Sequence, residues 1–164
     1  MSPRLKQQRA SGNPYDDLEA LTTARCLELL GTAQIGRLAW CDEGRILVLP
    51  VNFVLDGDDV IIRSAAGAKL AAARRGRQFA FEVDDVEPAL HTGWSVVLTG
   101  PGHLVTEEAE ARRLAEMVHP WSRAERPNVV RITADQVTGR RVPLQAGGVT
   151  VMTLGDPRSR SGER

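Results

Sequence analysis

Four residues stand where a strand-like run turns into a helix-like one, and their types suit the binding of an anion. In "VIIRSAAGAKLAAARRG", residues 60–76, a β-branched stretch passes through small residues into an alanine-rich segment, with Arg63, Ser64, Gly67 and Lys69 around the join. A strand running into a helix N-terminus presents unpaired backbone N–H groups and the positive end of the helix dipole, which suits a phosphate. Gly67 permits close backbone approach, Ser64 offers a hydroxyl, and Arg63 and Lys69 add charge-assisted contacts. The spacing is neither a Walker nor a Rossmann fingerprint. A connector whose basic side chains face water also accounts for these residues.

Other chemically capable residues are less organised. His91, His103 and His119 are far apart and fall on unlike elements, so no metal site is expected. The two cysteines, Cys26 and Cys41, form no Cys-x-x-Cys pair; both are expected reduced, with Cys26 in the core. Asp84 and Asp85 end a strand-like run and read as turn or dipole residues. Ser95 lacks the Gly-x-Ser-x-Gly elbow of a hydrolase. Trp121, after Pro120, is expected to pack a helix end, with a place against a bound cofactor as the alternative.

A length of 164 residues is that of one domain with a real core, and 42% hydrophobic with 26% charged residues is ordinary for a globular chain. With 21 basic and 21 acidic residues the formal net charge is zero, which gives no reason to expect nucleic acid or an anionic membrane as partner. No apolar run approaches the roughly 20 residues that span a bilayer. The basic N-terminal segment has no apolar stretch behind it, so a cytoplasmic location is expected.

The positioning elements can be read in order. "LTTARCLELLGTA" is a short helix with Thr22 as N-cap, a Leu21–Cys26 staple and Gly31 as its stop. "IGRLAWC" and "RILVLPVNFVL" flank the turn "DEG", and "DGDD" leads into "VIIRS". "RQFAFEVDD" follows the alanine-rich helix, with Phe79, Phe81 and Val83 on one face, and "DDVEPALHTG" reads as a loop. "GWSVVLTGPGHLV" is a long strand bent at Gly100, Pro101 and Gly102, as in a sheet curling toward a barrel. "TEEAEARRLAEMV" is a helix opened by Thr106, and "NVVRI" and "QVTGRRV" are the last strands. Two successive hairpins with a helix before the next strand argue for a mainly antiparallel sheet rather than a doubly wound one. Residues 1–16 read as a flexible arm, 17–142 as one domain and 143–164 as a disordered tail.

The motifs "GRLAW", "LPVNFV", "RSAAGAKL" and "FEVDD", extended by "GWSVVLTG" and "VTGRR", resemble, in order and spacing, the pyridoxamine 5′-phosphate oxidase-like flavoproteins. The resemblance covers residues 21–142 and is nearest the nitroimidazole-resistance branch. It implies a mainly β fold with flanking helices, a split β-barrel, that forms a homodimer with FMN at the subunit interface. The flavin phosphate would meet Arg63, Ser64 and Lys69. Leu49, Pro50, Val51 and Asn52 would run beside the isoalloxazine ring, with Trp94 and Ser95 from the facing subunit and Arg140 on the closing strand. Arg63 stands where that branch commonly has a histidine, an exchange that suits either tighter phosphate binding or a deazaflavin in place of FMN. The further basic ligands and C-terminal substrate segment of the oxidases themselves are not found here. The resemblance thus implies an FMN-dependent oxidoreductase acting on a small molecule, with no catalytic side chain identified; a flavin carrier or sensor without turnover is the alternative.

Overall fold

The computed structural model describes residues 18–121 and 125–144. The expected N-terminal arm and all but the first two residues of the expected tail lie outside them. Within the described residues eleven elements follow one another: β1 (Glu19–Ala20), α1 (Thr23–Thr32), β2 (Ile35–Asp42), β3 (Arg45–Asp56), β4 (Asp59–Ser64), α2 (Ala68–Arg74), β5 (Gln78–Glu87), β6 (Thr92–Leu104), α3 (Glu108–Met117), β7 (Asn128–Ile132) and β8 (Gln136–Val142).

All pairings are antiparallel. The strand order β6-β5-β2-β3-β4-β7, closed by β7 pairing back onto β6, makes a six-stranded barrel, and β8 and β1 extend the sheet from β6. The expected hairpins form, with Asp42 opposite Arg45 and Asp56 opposite Asp59 at their closing pairs.

The barrel closes because β6 changes partners along its length. Residues 92–101 pair with β5, and Gly102, His103 and Leu104 pair with β7. Gly100 makes that possible: a Cβ there would lie 1.7 Å from the Thr133 carbonyl oxygen, so any side chain would push β6 away from the segment that follows β7.

The core follows from alternation. Leu38 and Trp40 of β2, Val51 and Phe53 of β3, Phe79, Phe81 and Val83 of β5, and Val96 and Leu98 of β6 are buried in one cluster. Trp40 lies 5.8 Å from Phe79, and Phe53 meets Phe81 edge-on at 4.6 Å. Cys26, Leu29 and Leu30 carry α1 onto this core, while Leu114 and Val118 seat α3 in a smaller cluster with Ile61 and Val129.

Thr22 is the N-cap of α1, its hydroxyl accepting from the Arg25 N–H at 3.3 Å. Four local expectations are corrected. Gly31 does not end α1, which runs to Thr32 and is capped by Ala33 through an N–H bond to the Leu30 carbonyl. The cap of α3 is Glu107 rather than Thr106: its carboxylate accepts from the Ala109 and Glu110 N–H groups, reaching two orphan donors where a threonine hydroxyl serves one. The loop read from residue 84 is strand until Glu87, because Asp84 to Glu87 keep their partners on β6 and only residues 88–91 turn. Asp84 is accordingly no turn residue; its carboxylate takes the guanidinium of Arg37, shared with Glu82.

Candidate functional site

β4 ends and α2 begins across residues 65–67, so the ladder fixes one side of the join and the helix the other. Gly67 occupies the N-cap of α2 at φ 143°, a conformation open to glycine, and no side chain caps the first turn. Arg63 is held by its Nε, which donates to the Arg126 carbonyl at 3.0 Å. Ser64 is buried and its Oγ donates to the Ala65 carbonyl at 2.8 Å, while Asn128 Nδ2 donates to the Ser64 carbonyl at 3.2 Å. The segment before β7 is thereby tied to the join from two directions.

Lys69 is the decisive residue. It is half-buried, forms no ion pair among the described residues, and has its pKa pushed below the usual lysine value by burial first and by the nearby Arg126 cation second. Two hollows meet at these cations. A hollow of about 70 Å³ is lined by Pro50, Val51, Asn52, Arg63, Lys69 and Arg126 among others. A second, of about 340 Å³, is bounded by Trp40 and Leu47–Leu49 on one side and by residues 64–69 with Arg126 on the other. Seven of the ten expected site residues (Leu49, Pro50, Val51, Asn52, Arg63, Ser64 and Lys69) therefore line a pair of hollows that share Lys69 and Arg126.

The other three are elsewhere on the chain. Trp94, Ser95 and Arg140 line a hollow of about 310 Å³ between the β5–β6 hairpin and β8, and no residue of it is shared with the Lys69 hollows. Arg140 is exposed and one of its terminal nitrogens donates to the Gly139 carbonyl.

Asn52 is more constrained than its sequence suggested. Its Nδ2 donates to the Gln34 carbonyl at 3.3 Å and its Oδ1 accepts from the Trp121 N–H at 3.0 Å. It thus pins the chain that leaves α3 onto β3. Trp121 itself does not pack the helix end; its side chain is 69% exposed. Arg126 is the site residue that sequence reasoning missed. It lies 57 positions from Lys69, in a segment with no motif, and only the β4–β7 pairing brings it near.

The arrangement can hold an anion between Lys69 and Arg126, with apolar surface from β2 and β3 alongside. Among the described residues no Asp, Glu or His lines either Lys69 hollow. Among the described residues no group of three or more His, Cys, Asp or Glu is placed to hold a metal ion.

A closed six-stranded antiparallel barrel with helices α1–α3 around it and a cationic strand–helix join in its wall is a split β-barrel of the flavin-binding kind. The chain belongs to the pyridoxamine 5′-phosphate oxidase family, whose sequence profile matches residues 22–141. An uncharacterised protein of Mycobacterium tuberculosis, Rv0080, is 32% identical over 87% of this chain and 95% of its own length. The solved structure of an FAD-binding protein from Mycobacterium smegmatis is 29% identical, with a TM-score of 0.59 over 76% of this chain and 97% of that one. A proposed 5-nitroimidazole antibiotic resistance protein from Bacteroides thetaiotaomicron shares the fold, with a TM-score of 0.62 at 17% identity over 76% of this chain and 88% of that one.

Proposed function

We propose that this chain is a homodimeric flavoprotein oxidoreductase that holds FMN with its phosphate at Lys69 and its ring along Pro50–Asn52 of β3. The observation that carries the reading is Lys69 itself. A half-buried lysine that lies beside a second cation and is in no ion pair among the described residues is an arrangement that a bound phosphate stabilises. The apolar flank of Leu47, Val48 and Leu49 supplies the remainder of a site for a ligand that is aromatic at one end and anionic at the other. The family, and the FAD-binding relative from Mycobacterium smegmatis, support a flavin as that ligand.

The dimer rests on a different feature. The first half of β3 leaves Ile46 77% and Val48 56% exposed, an apolar edge that a second copy would cover. In such a dimer Trp94, Ser95 and Arg140 of one chain close over the flavin of the other, which accounts for their separation from Lys69 within one chain.

Bound flavin supplies hydride and electron transfer. The chain's own contribution is to fix the phosphate with Lys69 and Arg126, to set the ring against β3, and to hold a small-molecule substrate close by. Positioning of that kind contributes up to about 7–11 kcal/mol in well-oriented cases.

The absorbance spectrum of the purified protein and the mass of the released cofactor test the reading directly, separating FMN from FAD and from a deazaflavin. Lys69→Ala is expected to weaken FMN binding about ten- to a hundredfold, the loss of one charge-assisted contact. Unchanged affinity would remove Lys69 from the site. Ile46→Lys with Val48→Lys is expected to give a monomer by light scattering. Bound flavin that neither NADH, NADPH nor reduced deazaflavin can reduce would make the protein a carrier or sensor instead.

A further inference from the structure

The largest of these hollows, about 560 Å³, belongs to none of the elements that hold the cations. Its walls are the C-terminal turn of α1 with Leu30 and Ala33, the stretch of β3 at Val54 and Leu55, and the end of α3 at Met117. Among the described residues no Asp, Glu, Lys or Arg lines it. The polar side chains it offers are Gln34, Asn52 and His119, and the Asn52 amide is already engaged with Gln34 and Trp121 through one hydrogen bond at each end. At its rim Trp121 and Met117 leave large apolar side chains exposed.

We infer that this cavity binds an uncharged aromatic small molecule of about bicyclic size that carries a hydrogen-bonding group for Gln34 or His119. A volume within the range of ligand sites, apolar walls and a few polar groups specify such a ligand, and the lack of charged lining residues selects against an anion or cation, which would lose its hydration without a counter-charge. Trp121 supplies a planar face at the mouth. The cavity also adjoins the proposed flavin site: Asn52 and Pro120 line both it and the small cationic hollow. The ligand so held lies next to the β3 segment assigned to the flavin ring, which makes it the substrate; that last step rests on the flavin reading, whereas binding in the cavity does not.

Gly31 provides a clean test. It lines the cavity inside α1, and a Cβ at its position meets no atom within 4 Å, so a side chain can enter without displacing the fold. Calorimetric titration of the purified full-length protein with 1-naphthol is expected to saturate, while 1-naphthalenesulfonate, the same ring system with a charge, binds at least tenfold more weakly. Gly31→Trp is expected to weaken 1-naphthol at least tenfold with melting temperature and flavin content unchanged, and Gly31→Ala to bind as the parent does. Lys69→Ala is expected to lose flavin and keep 1-naphthol, so failure of the flavin reading is visible apart from failure of this one. Equal binding of the sulfonate, or 1-naphthol affinity untouched by Gly31→Trp, overturns the proposal. So does affinity that falls as protein concentration rises, because a second copy then occupies the cavity.

Discussion

The two ends of β4 use the same kinds of charged side chain to opposite effect. At its start, Arg131 of β7 reaches Asp56 and Glu110 through one terminal nitrogen at 2.8 Å each and Asp59 through the other at 3.0 Å, and Arg113 forks onto Asp56 at 3.0 and 3.2 Å. Asp59 also accepts the Ala134 N–H. At its end, Arg63 spends its Nε on a backbone carbonyl and Lys69 has no ion pair among the described residues. Cations matched by carboxylates from the same chain form a brace between hairpin, helix and strand. Under the proposed reading, a half-buried lysine in no ion pair among the described residues is one half of an interaction whose other half is a ligand. On that reading charge alone does not mark a site; what marks it is that Lys69 lacks an internal counter-charge among the described residues.

The sharpest way to break this comparison is to remove the central cation at each end. Arg131 is only 20% exposed, and Arg131→Ala leaves Asp59 and Asp56 with fewer partners. The expected cost is roughly 1.5–3 kcal/mol, as for lost hydrogen bonds to charged groups. That corresponds to a fall in melting temperature of about 3–12 °C for a chain of this size. Lys69→Ala, by contrast, is expected to leave the ligand-free melting temperature unchanged or raised, since it removes a half-buried charge that no ion pair neutralises among the described residues. A fall comparable to that of Arg131→Ala would show that Lys69 braces the fold and would erase the distinction.

A smaller effect sharpens the same contrast. FMN added at about a hundred times its dissociation constant should stabilise the parent by about 2.7 kcal/mol through mass action. At that FMN concentration the Lys69→Ala protein should gain about half as much or less, whereas Arg131→Ala, although less stable, should gain as much as the parent. Thermal melts with and without FMN measure both.

Much of the barrel was legible before any coordinates, for reasons tied to local chemistry. The glycine-containing turns Glu43-Gly44 and Gly57-Asp58 announce hairpins, Thr22 announces a helix start, and the Gly100-Pro101-Gly102 run announces the bend at which β6 changes partners. What was not legible is non-local. β1 is a two-residue strand defined only by its pairing with Arg140 and Arg141, so no local pattern could reveal it. Arg131 sits inside "NVVRI" as an ordinary strand residue, and its three carboxylate partners are 21 to 75 positions away. Glu107 took the cap from Thr106 because two adjacent residues competed for one helix end, a contest settled by a single residue of register. At the candidate site, the motif shows that Arg63, Ser64 and Lys69 flank one strand–helix join, but it gives no sign of Arg126, nor of the hydrogen bonds that engage Asn52.

The smallest effect concerns acid. The guanidinium of Arg113, and after it that of Arg131, hold the Asp56 carboxyl down at about 2, against an ordinary value of 3.8. Because the folded value lies below the unfolded one, ionised Asp56 contributes stability that is fully present above about pH 4 and is lost as pH falls toward 2. Asparagine cannot titrate, so Asp56→Asn should be less stable than the parent at neutral pH, and the gap should close progressively across that window. The cationic end predicts no such window: no carboxylate partners Lys69 among the described residues, so Lys69→Ala and the parent, both free of ligand, should lose stability in parallel on acidification. Chemical denaturation at a series of pH values resolves the two. A gap for Asp56→Asn that persists undiminished at about pH 2 would mean that the arginines do not stabilise its charge. An acid-dependent gap for Lys69→Ala would mean that a carboxylate faces Lys69 after all, and the division of the molecule into a self-compensated end and a ligand-compensated end would fail.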